Sequence, residues 1–230
     1  MFSTSKRRKL PQSRERFEQD GFVWFRQALT EPDLAKLERS LDFGERPGCR
    51  PKAHAELLSL LGPASPLGER VSTVLPNARP VLLVAFNKSS ALNWAVPWHQ
   101  DRVVALKEKA EVHGYSGWAR RDGLWHAEPP VQVLEGMIFA RIHLDRNDHA
   151  NGAMQLASGS HCEGKVSADA ADRIAQNYPT ITCEAERGDI VLIKALTLHR
   201  SSASTSTGTR RALRVDFANQ ALPAPLEWGV

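Results

Sequence analysis

The tetrapeptide Trp98-His99-Gln100-Asp101 constrains this chain more than any other stretch. On an extended strand, residues two apart project to the same face. His99 and Asp101 can then offer one imidazole nitrogen and one carboxylate oxygen to the same metal ion. A third ligand must come from far along the chain, and Leu198-His199-Arg200 is the best candidate. The fold must therefore bring distant segments together around one point. Taken alone, His99 reads as an ordinary core or surface histidine. Its register with Asp101, His199 and, further on, Arg210 makes it a ligand.

The texture of the chain changes near residue 80. Before it, helices are predicted over Arg14 to Asp20, from the Thr30-Glu31-Pro32-Asp33 cap to about Leu41, after Pro51, and over Leu67 to Leu75. Phe22 to Phe25 reads as a strand, and residues 44–50 as a turn-rich link. Pro80 to Phe86 is a nearly continuous apolar run, as expected of a strand covered on both faces. Strands are expected at 98–106, Met137 to Leu144, Met154 to Ala157, Thr180 to Glu184, Asp189 to Ile193, Leu196 to Arg200 and Arg211 to Phe217. A helix is expected over 167–177. Helices first and many short strands after argue for an α+β, mainly β domain with a sheet- or barrel-like core. Residues 107–130 are long, polar and aromatic, and read as a lid or substrate loop.

Charge limits the partners. The formal net charge is +4, but residues 1–16 carry +5 and the remainder −1. A solvated basic tail at 1–12 and a near-neutral domain at 13–230 do not favour nucleic acid. No apolar run is long enough for a membrane span, and no signal core opens the chain. Cys49, Cys162 and Cys183 are an odd, widely spaced set without a C-x-x-C, which fits a reducing, cytoplasmic setting. Oligomeric state leaves no mark in the sequence.

His199 and Arg210 flank a polar, turn-rich segment. If it is a hairpin loop, the two residues end on neighbouring antiparallel strands beside one cavity. Two histidines and one carboxylate with open positions opposite form the arrangement of non-heme Fe(II) oxygenases. A 2-oxo dicarboxylic acid chelates such a metal at its keto acid end and needs a cation at its far carboxylate. Arginine suits that task because its planar fork binds carboxylate through two hydrogen bonds. Ser201, two residues past His199, can add a hydroxyl.

On these residues the chain resembles the phytanoyl-CoA dioxygenase family of Fe(II)/2-oxoglutarate oxygenases. The matching pieces are Asn87-Lys88, Trp98-His99-Gln100-Asp101, His143-Leu144-Asp145 followed by Asn151-Gly152, Gly159-Ser160-His161, and His199-x-Ser201 with Arg210 behind it. They run in order through roughly residues 15–220. The resemblance implies a double-stranded β-helix (jelly-roll, cupin-like) core with N-terminal helices buttressing one sheet. It implies His99, Asp101 and His199 as iron ligands, Arg210 on the distal carboxylate of 2-oxoglutarate, Ser201 as its helper, and Arg141 facing the cosubstrate. It also implies O2 as second cosubstrate, with succinate and CO2 released. Related halogenases lack the carboxylate, so Asp101 favours hydroxylation of a small organic substrate. No single substrate follows.

Trp98, Arg102, Trp118 and Trp125 are candidate substrate residues, with packing of the long loop as the competing reading. Lys88 reads as a solvated strand end, and His143 and His161 as structural. Arg211 competes with Arg210 by one residue of register. Other functions consistent with the pattern are a metal-binding jelly-roll module without turnover, and a non-oxidative metal-dependent enzyme on the same fold.

Overall fold

The computed structural model describes residues 12–43, 46, 48–89, 91–206 and 208–230. Of the expected basic tail only Gln12 is described, and residues 44, 45 and 47 of the expected link lie outside the described residues.

The N-terminal third alternates short helices with edge strands: α1 (Gln12–Asp20), β1 (Phe22–Phe25), α2 (Glu31–Arg39), β2 (Gly48–Cys49), α3 (Ala55–Leu61) and α4 (Pro66–Ser72). Helix α2 begins as its sequence predicts. Thr30 accepts from the Asp33 amide and Asp33 accepts from the Thr30 amide, closing a capping box. Ser65 caps α4, with Pro66 in the first turn.

The remainder is mainly strand: β3 (Arg79–Lys88), β4 (Val96–His99), β5 (Val104–Leu106), β6 (Ser116–Arg121), β7 (Leu124–Glu128), α5 (Val131–Glu135), β8 (Met137–His143), β9 (Met154–Ala157), α6 (Ala171–Ala175), β10 (Thr180–Thr182), β11 (Ile190–Lys194), β12 (His199–Ser201) and β13 (Arg210–Ala218). Helix α6 is shorter than the expected 167–177, and it starts without a side-chain cap. A six-stranded sheet runs β1-β11-β8-β13-β3-β2, a four-stranded sheet β10-β9-β12-β4, and a three-stranded sheet β5-β7-β6. The two larger sheets form the double-stranded β-helix.

Pleating sorts the six-stranded sheet into two faces. Leu83, Ala85, Ile138, Ala140, Ile142, Ile190, Leu192, Leu213 and Val215 pack with helix residues Leu34, Leu37, Leu57, Leu61 and Val71. Alternate positions face the four-stranded sheet, where Phe139, Val191 and Ile193 meet Met154, Leu156 and Cys183. On β3 the alternate positions Leu82 and Val84 pack with Ala105 and Leu124, so the apolar run before Asn87 is covered on both sides. No helix among the described residues is long and apolar enough to cross a membrane.

Two expectations change. The 98–106 segment is not one strand: β4 ends at His99, and β5 pairs with β7 in the third sheet. The buried amide of Gln100 breaks it, donating to the carbonyls of Gly164 and Leu196 and accepting from the Val166 amide. The 107–130 segment is not a structureless loop. It contains the β6–β7 hairpin, turned by Asp122-Gly123 with φ of 49° and 86°. An Asp-Gly pair at positive φ is the hairpin signal that the aromatic, charged texture obscured.

Helix α2 is tied to the sheet by charge. Glu38 accepts two bonds from Arg187, each 3.0 Å, and pairs with Arg211 at 2.9 Å. Arg187, then Arg211, hold the Glu38 carboxyl below its usual range against the opposing effect of burial. A lowered carboxylate stabilises the fold above its unfolded pKa, and that contribution is lost as pH falls through the folded value. Glu38→Gln should therefore cost about 1–2 kcal/mol at neutral pH. In denaturant titrations the gap from the parent should close as the pH drops below about 4. An unchanged gap at low pH would assign the loss to packing.

Candidate metal and cosubstrate site

Strand pairing brings the distant histidines together. β12 lies antiparallel to β4 with His199 directly opposite His99, and their ring centroids are 4.1 Å apart. Asp101 follows the end of β4. The ligand atoms of His99, Asp101 and His199 all lie within 4.8 Å of one another. Trp98 and Gln100 turn the other way, so the in-out alternation persists past the end of the strand.

Each histidine is held through Nδ1 by the carbonyl two residues earlier: His99 by Pro97 and His199 by Thr197, both at 2.9 Å. A carbonyl can only accept, so Nδ1 donates to it, which leaves Nε2 as the nitrogen available to a metal. Burial, then the neighbouring His199, pushes the His99 imidazolium down to about 4, so its ring is neutral. Burial alone would raise the Asp101 carboxyl, but Arg214 and then His199 outweigh it and hold it well below the usual carboxylate range.

The donor set fits a divalent metal. His199 Nε2 stands 3.2 Å from Asp101 Oδ2, yet that buried oxygen has no aligned hydrogen-bond donor. Two ligand atoms about 2.1 Å from one ion at a right angle would stand about 3 Å apart. The arrangement therefore suits a shared ion better than a shared proton.

Arg214 is the residue that sequence reasoning missed. Its Nη1 is 2.7 Å from Asp101 Oδ1, and its Nε and Nη2 engage both oxygens of Asp216, the latter at 2.6 Å. It lies 4.7 Å over the Phe139 ring. The available signal was its place four residues after Arg210 on the same strand face.

A cavity of about 320 Å³ opens on the triad between the two larger sheets. Arg141, Ser201, Arg210 and Arg214 line it, together with apolar Val84, Phe86, Val96, Phe139 and Met154. Arg210 is buried, with one bond to the Gly152 carbonyl and a buried Nε lacking any partner. Gly152 has a φ of 73°, and a Cβ there would lie 2.4 Å from the Ser202 carbonyl oxygen. Only glycine lets this turn pass so close and aim its carbonyl at Arg210. Arg141 lies 5.2 Å from the Phe86 ring. Among the described residues neither Arg141 nor Arg210 has a carboxylate partner. Burial lowers Arg141 to about 10 and, with Arg141 nearby, Arg210 to about 9.

Other expected residues fall elsewhere. Arg211 points to the helix side, bound to Asp145 and Glu38. Trp98 is buried with Ala157, Val166, Ala171 and Leu198, and Arg200 lies 4.8 Å over its ring. Arg102 donates to the Val166 carbonyl. Trp118 and Trp125 meet edge-on at 6.4 Å in the packing of the third sheet. None of these four lines the cavity. Lys88, expected to be solvated, is fully buried beside Arg210, with Nζ bound to the carbonyls of Trp94 and Ser202. Burial, then Arg210, pushes it down to about 7. His143 stacks on Trp24, and His161 bonds the Glu18 carbonyl.

The family model for phytanoyl-CoA dioxygenase (PhyH) matches residues 64–212. The chain belongs to the phytanoyl-CoA dioxygenase family. No curated protein sequence matches it. Its fold is similar to that of EvdMO1, with TM-score 0.65 and 19% identity, covering 91% of this chain and 50% of that one. The present chain thus spans half the length of EvdMO1. It is also similar to SnoK, a non-heme alpha ketoglutarate dependent carbocyclase from nogalamycin biosynthesis, with TM-score 0.65 and 16% identity over 94% of this chain and 84% of that one. A third is the epimerase SnoN in complex with Fe3+, alpha ketoglutarate and nogalamycin RO, with TM-score 0.65 and 14% identity over 90% and 82%.

If Asp101 is a ligand held in place by Arg214, two variants should separate the roles. Asp101→Ala should reduce Ni(II) or Fe(II) affinity by two orders of magnitude or more. Arg214→Met, which leaves all three ligands present, should cost about 10- to 100-fold. Calorimetric metal titration measures both, and unchanged affinity in Arg214→Met would remove its positioning role.

Proposed function

We propose that this chain is an Fe(II)- and 2-oxoglutarate-dependent oxygenase that hydroxylates a C–H bond of a small organic substrate. The observation that carries this reading is the meeting, in one cavity, of a two-histidine, one-carboxylate set and two guanidinium groups without carboxylate partners. His99, Asp101 and His199 would hold the iron. When bound, ferrous iron with 2-oxoglutarate supplies the activation of O2 that oxidises the substrate, with succinate and CO2 released.

The chain's own residues do the rest. The two carbonyl-anchored imidazoles present lone pairs, and Arg214 keeps Asp101 ionised. Arg210 takes the distal carboxylate of 2-oxoglutarate, with the free hydroxyl of Ser201 beside it. Arg141 adds a second positive charge for the dianion. Phe139, Met154 and Val84 keep the surroundings apolar, so these charges act with little screening. SnoK and SnoN are named for cyclisation and epimerisation, so the fold accommodates several outcomes. Hydroxylation is the reading favoured here, because Asp101 fills the place that a halide ligand would need. A non-oxidative enzyme leaves Arg210 without a task, and the intact triad together with Arg210 argues against a degenerate binding module.

With Fe(II) under anaerobic conditions, the protein should bind 2-oxoglutarate, and Arg210→Ala should weaken that binding about 10- to 100-fold while sparing metal affinity. Arg211→Ala should leave it nearly unchanged; a loss there instead would shift the assignment by one residue. Saturating 2-oxoglutarate at about 100 times its Kd should add about 2.7 kcal/mol to stability, read as a rise in Tm. Absence of both 2-oxoglutarate binding and succinate formation across a substrate panel would overturn the oxygenase reading.

A further inference from the structure

We propose that Arg50 binds an oxyanion carried by the primary substrate, and that Asp122 at the tip of the β6–β7 hairpin positions it. The proposal rests on the oxygenase reading and specifies the substrate class: a small organic acid whose apolar body lies along the cavity wall. Arg50 follows the edge strand β2 and lines the same cavity as His99 and Asp101. It reaches there because Gly48 lets β2 lie against the Phe86 ring; a Cβ at Gly48 would stand only 3.3 Å from that ring.

The guanidinium is held but not saturated. Its Nη1 is 3.0 Å from Asp122 Oδ2, whereas its Nε is buried with no hydrogen-bond partner. Asp122 is shared with Arg46, which takes Oδ1 at 2.7 Å. Two cations therefore share one carboxylate, and the Asp216 carboxylate that also acts on Arg50 is already bound by Arg214. The other cavity arginines are accounted for. Arg214 faces Asp101 and Asp216, while the oxygenase reading gives Arg210 the distal carboxylate of 2-oxoglutarate and Arg141 a supporting charge. Arg200 borders the cavity, but its guanidinium is engaged with Gln155 and the Trp98 ring. Among the described arginines lining the cavity, Arg50 is left without a task toward metal or cosubstrate.

Space and polarity narrow the ligand further. A cavity of about 320 Å³ is at the small end for ligand sites. It must also hold the cosubstrate. Trp94, Val96, Val84 and Phe86 supply apolar surface in the same cavity. A compact hydrophobic body with one carboxylate or phosphate group matches both features. The hairpin also acquires a role here. Its tip does not line the cavity, but Asp122 holds Arg50, which does.

The test uses protein loaded with Ni(II) and 2-oxoglutarate, titrated with phenylacetate, phenyl phosphate and the neutral phenylacetamide. At least one anion should bind about 10-fold or more tighter than the amide, and which anion binds distinguishes a carboxylate from a phosphate ligand. Arg50→Met should remove that preference by a 10- to 100-fold loss confined to the anions, and Arg50→Lys should restore part of it. Asp122→Asn should give a smaller loss of the same selectivity. A merely structural Arg50 would affect anions and amide alike. Equal binding of all three probes, or a preference that survives Arg50→Met, overturns the proposal. Because 2-oxoglutarate binding is measured in the same preparation, its failure would indict the oxygenase reading instead.

Discussion

Arg214 lies between Asp101 and Asp216, and the chemistry of the cavity depends on that contact. Removing a carboxylate from water costs several kcal/mol unless a counter-charge and hydrogen bonds replace the solvent. Guanidinium offers five donors in one plane and cannot be discharged. Arg214 spends two of its nitrogens on Asp216 and the third on Asp101. Asp101 is thereby kept anionic, while Oδ2 stays open toward the histidines. Burial, despite Arg214, leaves the Asp216 carboxyl raised above its ordinary value. Asp216 therefore serves to orient the arginine, and Asp101 is the carboxylate presented as a firm anion.

The two histidines solve a different problem by the same local device twice. Each lies on one of two paired strands, directly across the ladder from the other. Each binds the carbonyl two residues back along its own strand. Strand geometry thus sets the ring position and the proton position together. The site needs few long-range contacts to be assembled once β4 and β12 pair. The Gln100 amide, anchored to Gly164, Leu196 and Val166, then fixes the chain just past β4, so that Asp101 stays on the histidine face.

The legibility of these features in sequence follows from their range. The capping box at Thr30, the doubly covered run ending in β3, and the period-two H-x-D are local patterns, and local patterns carry direct physical meaning. The ligand set and Arg210 were legible because one spacing rule linked them to a known family. Arg214 was visible only as a strand-face position, since its partner Asp101 lies across the cavity, past the end of β4. Lys88 was misjudged for the same reason. Its carbonyl partners belong to residues 94 and 202, which only the closed β-helix brings together. Trp98, Trp118 and Trp125 were drawn toward the site by their size, but large apolar side chains gain as much from packing in sheet clusters as from lining a cavity.

The positive side chains around the cavity reveal what it is built to receive. Arg141, Arg210 and Lys88 are buried near one another, and like charges at short range in a medium of low polarity repel strongly. Lys88 can escape by losing its proton, and burial has already pushed it down to about 7. The arginines have no such escape. Their repulsion disfavours the charged cluster, and an anion bound between them would relieve it. A neutral molecule of the same shape gains nothing from that relief. On the proposed reading, these two guanidinium groups would favour a dianion over a neutral molecule independently of any contact with the metal.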